Sequence, residues 1–278
     1  MKNLYDIVAL RCSEITTKLY STSFSLGIKT LDNKFHNPVY AIYGFVRFAD
    51  EIVDTFHNHD KAALLKEFKE DTYKAINQKI SLNPILHSFQ LAVNTYKIDH
   101  ELIDSFLHSM EMDLNPYLYD RATYETYILG SAEVVGLMCL RVFCEGNESQ
   151  YQQLKPQAMR LGAAYQKINF LRDMKADYFS LGRAYFPNLQ IDQFDESAKR
   201  EIENEIEADF QEGLNGIRNL PHGARFGVYV SFVYYYNLFR KIKTLPPARI
   251  LNERIRISDT RKYLLIISSY IKHKLNLI

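Results

Sequence analysis

The chain has 278 residues, of which 47% are hydrophobic and 24% are charged, and its formal net charge is +1. This composition is typical of a soluble globular protein, and the near-neutral charge without any block of like charge excludes a general binder of nucleic acid. The N-terminus carries Asp6, Arg11 and Glu14 where a signal peptide needs an uninterrupted apolar run, which predicts a cytoplasmic protein.

Apolar residues at helical spacing predict helices along almost the whole chain. The predicted helices cover 3–20, 38–56, 60–77, 83–96, 100–113, 122–144, 149–177, 195–220, 224–243 and 260–275. Pro38, Pro84 and Pro116 lie near starts or breaks of these helices, where proline is tolerated. Alternating β patterns are scarce, and no linker or repeat divides the chain. The sequence therefore predicts one all-α domain over 1–278.

Cysteines and aromatic residues add two expectations. Cys12, Cys139 and Cys144 form no C-x-x-C pair and are interpreted as buried free thiols. The 20 Tyr and 17 Phe suit a helical core or the walls of a long apolar cavity. The uncharged run 226–239 is only about 14 residues long, shorter than a membrane span, and is predicted as a central helix. The acidic run 195–212 is interpreted as a solvated helix face.

The stretch "VRFADEIVDTF" at 46–56 places charges inside an apolar helical pattern. Asp50 and Asp54 are one helical turn apart, and Arg47 lies three residues before Asp50 on the same side. Two carboxylates beside apolar neighbours repel each other unless a cation lies between them or water reaches both.

A second polar stripe lies in "YQKINFLRDMKADYFSLGRAYFP" at 165–187. Asn169, Asp173 and Asp177 are spaced i, i+4 and i+8, with Gln166 about one turn earlier and Arg172 beside Asp173. Hard divalent cations take oxygen ligands and often bind through one or two carboxylates together with substrate phosphates. Two facing stripes are therefore predicted to hold Mg²⁺, or Mn²⁺ in its place.

Arginines accompany both stripes and suit phosphate oxygens: Arg47, Arg172 and Arg183. Metal and arginine together fit the ionisation of an allylic diphosphate, since both stabilise charge on the leaving group. The resulting carbocation needs an apolar pocket with aromatic walls that excludes water.

Other interpretations of the stripes remain open. The acids could pair with Arg47 and Arg172 as salt bridges of a helical bundle, which leaves the two amides of the second stripe unexplained. A di-iron bundle would need Glu-x-x-His pairs, and none lies beside either stripe. His57 and His59 are interpreted as solvated loop residues. A non-catalytic helical partner protein would be expected to lose part of the stripes, yet every position is present.

These motifs resemble the squalene/phytoene synthase family over nearly the whole chain. The matching stretches are "YSTSFSLG" (20–27), "YAIYGFVRFADEIVD" (40–54), "YILGSAEVVGLM" (127–138), "QKINFLRDMKADYFSLGRAYFP" (166–187) and "LNERIRI" (251–257). The resemblance implies an isoprenoid-synthase-type helical bundle around a central apolar cavity. It also implies Mg²⁺-dependent head-to-head condensation of two identical prenyl diphosphates through a cyclopropyl diphosphate.

Within the family, the wording of both acidic motifs is most similar to bacterial phytoene synthases. The resemblance thus implies that two C20 geranylgeranyl diphosphates give C40 phytoene for carotenoid biosynthesis, without NADPH. The alternative is a C30 squalene or dehydrosqualene synthase that uses farnesyl diphosphate.

The resemblance also implies roles for single residues. Those acting on diphosphate and metal are Asp50, Asp54, Asp173, Asp177, Tyr43 and Arg47, with Asn169 as a further metal ligand. Those binding substrate are Ser21, Ser23, Phe24, Tyr127, Ala132, Val135, Gly136, Leu137, Gln166, Arg172, Arg183, Tyr185 and Arg254. Small residues such as Ala132 and Gly136 would leave room for the prenyl chains, or Gly130 and Gly136 could instead serve close helix packing.

Two positions depart from the family pattern. Glu51 makes the first motif D-E-x-x-D where many relatives have D-D-x-x-D, and its side chain is expected to point outward. Val46 stands where relatives often carry Cys and is interpreted as packing. Near the C-terminus, the segment 249–274 carries seven Lys or Arg against Glu253 and Asp259. This excess indicates peripheral contact with anionic headgroups at the inner face of the membrane, or else diphosphate binding through Arg254 together with solvation.

Overall fold

The chain folds as an all-α bundle. The computed structural model describes residues 2–115, 119–187, 189 and 193–275, and no β-strand occurs among them. The helices are α1 (Lys2–Tyr20), α2 (Thr22–Lys29), α3 (Asn33–Thr55), α4 (Lys61–Gln78), α5 (Pro84–Tyr96), α6 (His100–Met112), α7 (Arg121–Ile128), α8 (Val134–Cys144), α9 (Glu148–Leu181), α10 (Glu196–Asn219), α11 (His222–Lys243), α12 (Pro247–Ile250) and α13 (Asp259–Lys274). A π-helical turn, Leu129–Glu133, joins α7 to α8.

Side-chain caps fix where several helices begin. Asp60, Asn83, Asp120, Asn147 and Asp195 each accept a hydrogen bond from a backbone N–H of the first turn that follows. The first N–H groups of a helix have no partner within it, so these oxygens satisfy donors that would otherwise be unpaired. The caps place α4, α5, α7, α9 and α10 close to their predicted starts.

The predicted helices are confirmed, with differences at their ends. Helix α3 begins at Asn33, before the predicted residue 38, so Pro38 lies inside it. Helix α9 continues to Leu181 and contains Pro156. The predicted helix 122–144 is interrupted by the π-helical turn, and α2 was not predicted at all. The break expected at Pro116 lies outside the described residues.

One hydrophobic cluster joins the helices, from Ile28 in α2 to Ile257 before α13. Helix α9 packs against α8, α10 and α11, while α3 packs against α1, α5 and α8. The run 226–239 lies in α11, where Leu238 and Phe239 are fully buried, which confirms the predicted central helix. This packing leaves a space between α2, α3, α8, α9 and α11.

The acidic run 195–212 is not solvated throughout, so that prediction is wrong for two residues. Asp209 is buried and lies 2.8 Å from Lys167 Nζ, and Glu203 is buried and lies 2.7 Å from Lys199 Nζ. Helix α10 packs along α9, so Asp209 meets the buried Lys167 of α9, whereas Glu203 pairs with Lys199 one turn earlier on α10 itself. Pairing with an opposite charge offsets the free-energy cost of removing these carboxylates from water.

The cysteines are free, as expected, but the expected burial is correct only for Cys144, because Cys12 and Cys139 are half-buried. In the part of the chain that the structure describes, one stretch, Arg121–Cys144, is long and apolar enough to cross a membrane. Its apolar window is 56% buried inside the fold, and the π-helical turn interrupts it. Both features are typical of a core helix.

Candidate active site

A cavity of about 1320 Å³ lies between α2, α3, α8, α9 and α11, with the segment 254–258 along one side. Small-molecule pockets are usually about 300–1,000 Å³, so this space is large. The sequence-predicted residues that line it are Ser21, Ser23, Phe24, Tyr43, Arg47, Asp50, Tyr127, Ala132, Val135, Gly136, Gln166, Asn169, Arg172 and Arg254. The structure thus brings together motifs that lie far apart in the sequence.

Helix α3 supplies the first acidic stripe. Burial raises the pKa of Asp50 to about 8. The neighbouring Asp54 carboxylate also raises this pKa, and its effect is larger than the opposing effect of Arg47. Arg47 forms an ion pair with Glu51 and lies over the Tyr20 ring, 4.3 Å from its centroid. Glu51, which was expected to point outward, does not line the cavity, but its pairing with Arg47 leaves only 19% of its side chain exposed.

Helix α9 supplies the second stripe, in which two arginines meet Asp173. Arg172 Nη2 lies 2.5 Å from Asp173 Oδ2, and Arg254 Nε lies 2.7 Å from Asp173 Oδ1. One turn further on, burial and the Asp173 charge raise the pKa of Asp177 to about 7. Asn169 donates to Gln166 Oε1 over 3.3 Å, so the two amides extend the stripe into the cavity.

Arg183 joins the ends of both stripes. Helix α9 ends at Gly182, whose φ of 66° lies in the left-handed region that glycine adopts without strain. The chain turns back there, and Arg183 N–H donates to the Asp177 carbonyl over 2.9 Å. Arg183 Nη1 then donates to Asp54 Oδ1 over 2.7 Å, and Nη2 to the Asp113 carbonyl over 3.0 Å.

Asp113, at the end of α6, is a site residue that sequence reasoning missed. The Tyr127 hydroxyl donates to its Oδ2 over 2.7 Å and the Tyr185 hydroxyl to its Oδ1 over 3.2 Å, while Arg183 Nε lies 3.4 Å from Oδ1. Burial raises the pKa of Asp113 to about 6, although Arg183 and both hydroxyls lower it. The only signal in the sequence was an acid directly after an apolar helix.

Aromatic rings form part of the cavity wall. Tyr165 and Tyr235 stack with centroids 4.1 Å apart, and the Tyr235 hydroxyl lies 3.4 Å from Asn169 Oδ1 as its donor. Neither tyrosine was predicted as a site residue, because the sequence around each one has the pattern of an ordinary core helix. Phe24 stacks on Tyr43 at 5.0 Å, and burial raises the pKa of the Tyr43 phenol to about 12.

Some predicted site residues lie away from the cavity wall. Leu137 is 1% exposed and belongs to the core, since one step along α8 turns it away from Gly136. Asp177, Arg183 and Tyr185 instead line a second, much smaller cavity. At Gly130 a Cβ would lie 2.4 Å from the Ser105 carbonyl oxygen, which supports the close-packing interpretation there.

The position of Gly136 agrees with both of its interpretations, room for the prenyl chains and close helix packing. It lines the cavity, and a Cβ there would lie 3.2 Å from the Ala158 carbonyl oxygen. Helix packing and space for a ligand therefore require a small residue at the same position.

The donor set of the two stripes fits a hard divalent cation. All five predicted ligands offer oxygen. Burial first, and a neighbouring carboxylate second, raises the pKa of Asp50 and of Asp177, and a cation between the carboxylates would compensate both effects. Within the described residues, no three His, Cys, Asp or Glu side chains are grouped to hold an ion on their own. An ion here would therefore need water and substrate phosphate oxygens as further ligands.

The salt-bridge interpretation is correct in part. Arg172 pairs with Asp173, as that interpretation expects, but Arg47 pairs with Glu51 and not with Asp50 or Asp54. The pairs of Asp54 with Arg183 and of Asp173 with Arg254 were not part of it. Asp50, however, has no arginine partner among the described ion pairs, and the amides Gln166 and Asn169 line the cavity. His57 and His59 are exposed, as expected.

Comparison with known proteins identifies the family of the chain. The model of a family described as Squalene/phytoene synthase matches residues 17–261. A presqualene diphosphate synthase from Sinorhizobium fredii is 32% identical over 62% of this chain, and the match spans 60% of that relative's length. A 15-cis-phytoene synthase from Synechococcus elongatus is 27% identical over 86% of this chain and 89% of its own.

A solved dehydrosqualene synthase with bound ligand superimposes with a TM-score of 0.82 at 21% identity. The superposition covers 97% of this chain and 98% of that one. The all-α isoprenoid-synthase fold predicted from the sequence is thereby confirmed.

Proposed function

We propose, because the chain belongs to the squalene/phytoene synthase family and is therefore a prenyltransferase, that it condenses two geranylgeranyl diphosphates head to head to phytoene. One observation carries this proposal. A single large cavity combines aromatic and aliphatic walls with Asp50, Asn169, Arg47 and Arg172 on its surface. Such a space suits substrates with a long apolar chain and a charged head.

The charged side of the cavity would grip and ionise the diphosphate. Arg47, Arg172 and Arg254 line the cavity and offer guanidinium donors to phosphate oxygens. Asp50, Asp54, Asn169, Asp173 and Asp177 would hold Mg²⁺, which when bound supplies positive charge that stabilises the leaving diphosphate. Arg183 holds Asp54 and the end of α9 in place, and Asp113 in turn fixes Arg183.

The apolar side would protect the carbocation. The first substrate loses diphosphate, and the double bond of the second attacks its C1, with proton loss giving a cyclopropyl diphosphate. Loss of the second diphosphate opens and rearranges the ring, and a further proton loss gives phytoene without any reductant. The Tyr165, Tyr235 and Phe24 rings present π faces that stabilise a cation and exclude water.

A C30 product from farnesyl diphosphate is the second candidate. It is favoured by the 32% identity to a relative named for presqualene diphosphate, the C30 cyclopropyl compound. The phytoene synthase relative matches more of the chain at lower identity. Both candidates use the same residues and differ in the chain length that the cavity accepts.

Mass spectrometry of the products tests the proposal directly. Purified protein is incubated with Mg²⁺ and either C15 or C20 prenyl diphosphate, with and without NADPH. A C40 hydrocarbon from the C20 substrate without NADPH is the expected result. A C30 product would replace it with the second candidate, and NADPH dependence would separate squalene from dehydrosqualene. No product from either substrate, or activity that persists in EDTA, would contradict metal-dependent condensation.

A further inference from the structure

Helix α13 presents an apolar face to solvent. Tyr263, Leu264, Ile267 and Ile271 expose 58%, 61%, 57% and 53% of their surface. Their spacing puts them on one side of the helix, and we call these four residues the outer stripe. Surface helices normally turn such residues toward the core, so a contiguous exposed apolar patch marks an interaction surface.

The opposite face of α13 is held by α11. The Phe226 ring of α11 stacks on His273 with centroids 5.0 Å apart. It also meets, edge-on at 5.9 Å, the ring of Tyr270, which is 50% exposed at the border between the two faces. Ser269, on the same inner side, is 1% exposed. Because these contacts fix the rotation of α13, the outer stripe cannot turn inward without breaking them.

Charge along α13 favours an anionic surface. The sequence of α13 contains four basic residues, Arg261, Lys262, Lys272 and Lys274, against one acid, Asp259, at its first position. Arg261 and Lys272 are exposed, and helical geometry places both along one border of the outer stripe. Apolar residues bordered by cations are the pattern of helices that lie in the interface of anionic lipid bilayers.

A second copy of the chain suits this face of α13 less well than a lipid surface does. A helix of 16 residues is about 24 Å long and about 10 Å wide, so its outer face covers roughly 240 Å². Stable protein interfaces bury about 800 Å² on each partner. Two copies meeting through α13 would also bring their cations together, which is unfavourable.

The outer stripe lies next to the cavity. Arg261 and Lys262, in the first turn of α13, line the cavity, and Lys262 Nζ donates to Thr22 Oγ1 over 3.3 Å at the start of α2. We propose that the outer stripe docks the enzyme on an anionic membrane surface, beside the cavity from which a hydrocarbon product leaves. Exit of a hydrocarbon product at this place rests on the proposed function, whereas binding of α13 to lipid does not.

Vesicle co-sedimentation of the full-length protein tests this docking without substrate. We expect binding to vesicles containing phosphatidylglycerol, and much weaker binding to pure phosphatidylcholine or at high salt. Leu264→Asp and Ile267→Asp should each weaken binding at least about tenfold, and Lys272→Ala about fivefold. The matched control is Leu82→Asp, a 93% exposed leucine between α4 and α5, which should bind as the wild type does.

Several results would overturn the proposal. Absence of vesicle binding, equal binding to neutral vesicles, or an equal loss in Leu82→Asp would each do so. Sedimentation velocity showing a dimer that Ile267→Asp dissociates would assign the stripe to a second copy. Leu264 and Ile267 do not line the cavity, so turnover of detergent-dispersed substrate should be unchanged in both variants. That assay separates a failure of docking from a failure of the proposed function.

Discussion

Asp173 is the residue on which the charges of the site converge. It pairs with Arg172 on its own helix and with Arg254 from the segment before α13. Its Oδ1 is buried and accepts no well-directed hydrogen bond, although Arg254 Nε is close. Under the proposed function this oxygen would accept a cation, and both arginines would then bind phosphate oxygens.

Replacing this carboxylate by an amide should remove activity and leave the fold intact. Asp173→Asn keeps the side-chain shape but loses the charge that orders both arginines and would bind metal. We expect kcat/KM to fall at least about 100-fold while helical circular dichroism is unchanged. Asp71→Asn, an exposed change on α4, is the matched control. A rate within about twofold of the wild type would contradict the metal-binding role of the stripe.

Arg254 offers a separate test of diphosphate binding. Its side chain is 52% exposed, and exposed ion pairs contribute only about 0–1 kcal/mol to folding. Arg254→Ala should therefore raise KM at least about tenfold and shift the melting temperature by less than about 2 °C. Arg249→Ala removes a similarly exposed arginine that pairs with Glu253, and it should change neither quantity. A large loss of stability with normal KM would make Arg254 structural.

At the scale of elements, the sequence predicted helices better than their interruptions. Periodic apolar residues and Asn or Asp caps located the long helices, because both signals are local. The π-helical turn carries no such signal: it packs closely against Gly162 of α9, where a Cβ would lie 2.9 Å from the Ala132 carbonyl oxygen. Asp113 was missed for a similar reason, since its partners Tyr127 and Arg183 are distant in sequence.

Glu133, at the end of the π-helical turn, should make stability depend on pH. Burial raises its pKa to about 7, with Asp209 raising it and Arg160 and Lys167 lowering it. The folded protein therefore binds more protons than the unfolded chain between about pH 4.5 and 7, so Glu133 lowers stability as pH rises through that window.

Glu133→Gln should abolish this dependence. We expect it to melt like the wild type at pH 4.5 and about 2–4 °C higher at pH 8, measured by circular dichroism. The control is Glu125→Gln, an exposed change on α7 that should give the same difference from wild type at both pH values. A Glu133→Gln protein that is less stable at pH 8 would show that the charged form is favoured in the fold.

For the molecule as a whole, the sequence predicted that the two polar stripes meet but not how deep the cavity is. Motif spacing placed Asp50, Asn169 and Arg172 at one site because each motif lies on one helix face. Depth depends on distant contacts, such as those of Ile217 in α10 and Leu31 after α2, both of which line the cavity. No local pattern in the sequence encodes such contacts between distant segments.

Cys139 marks the apolar part of the cavity and gives a test of chain length. It lines the cavity, and burial alone raises its pKa to about 12, without a contribution from any charged group. Cys139→Phe should therefore fill space used by the prenyl chain without touching the diphosphate site. If the enzyme prefers the C20 substrate, the ratio of kcat/KM for C20 over C15 should fall at least about tenfold. Cys139→Ser keeps the side-chain volume and should leave this ratio unchanged. An unchanged ratio in Cys139→Phe as well would mean that the prenyl chain does not extend past residue 139.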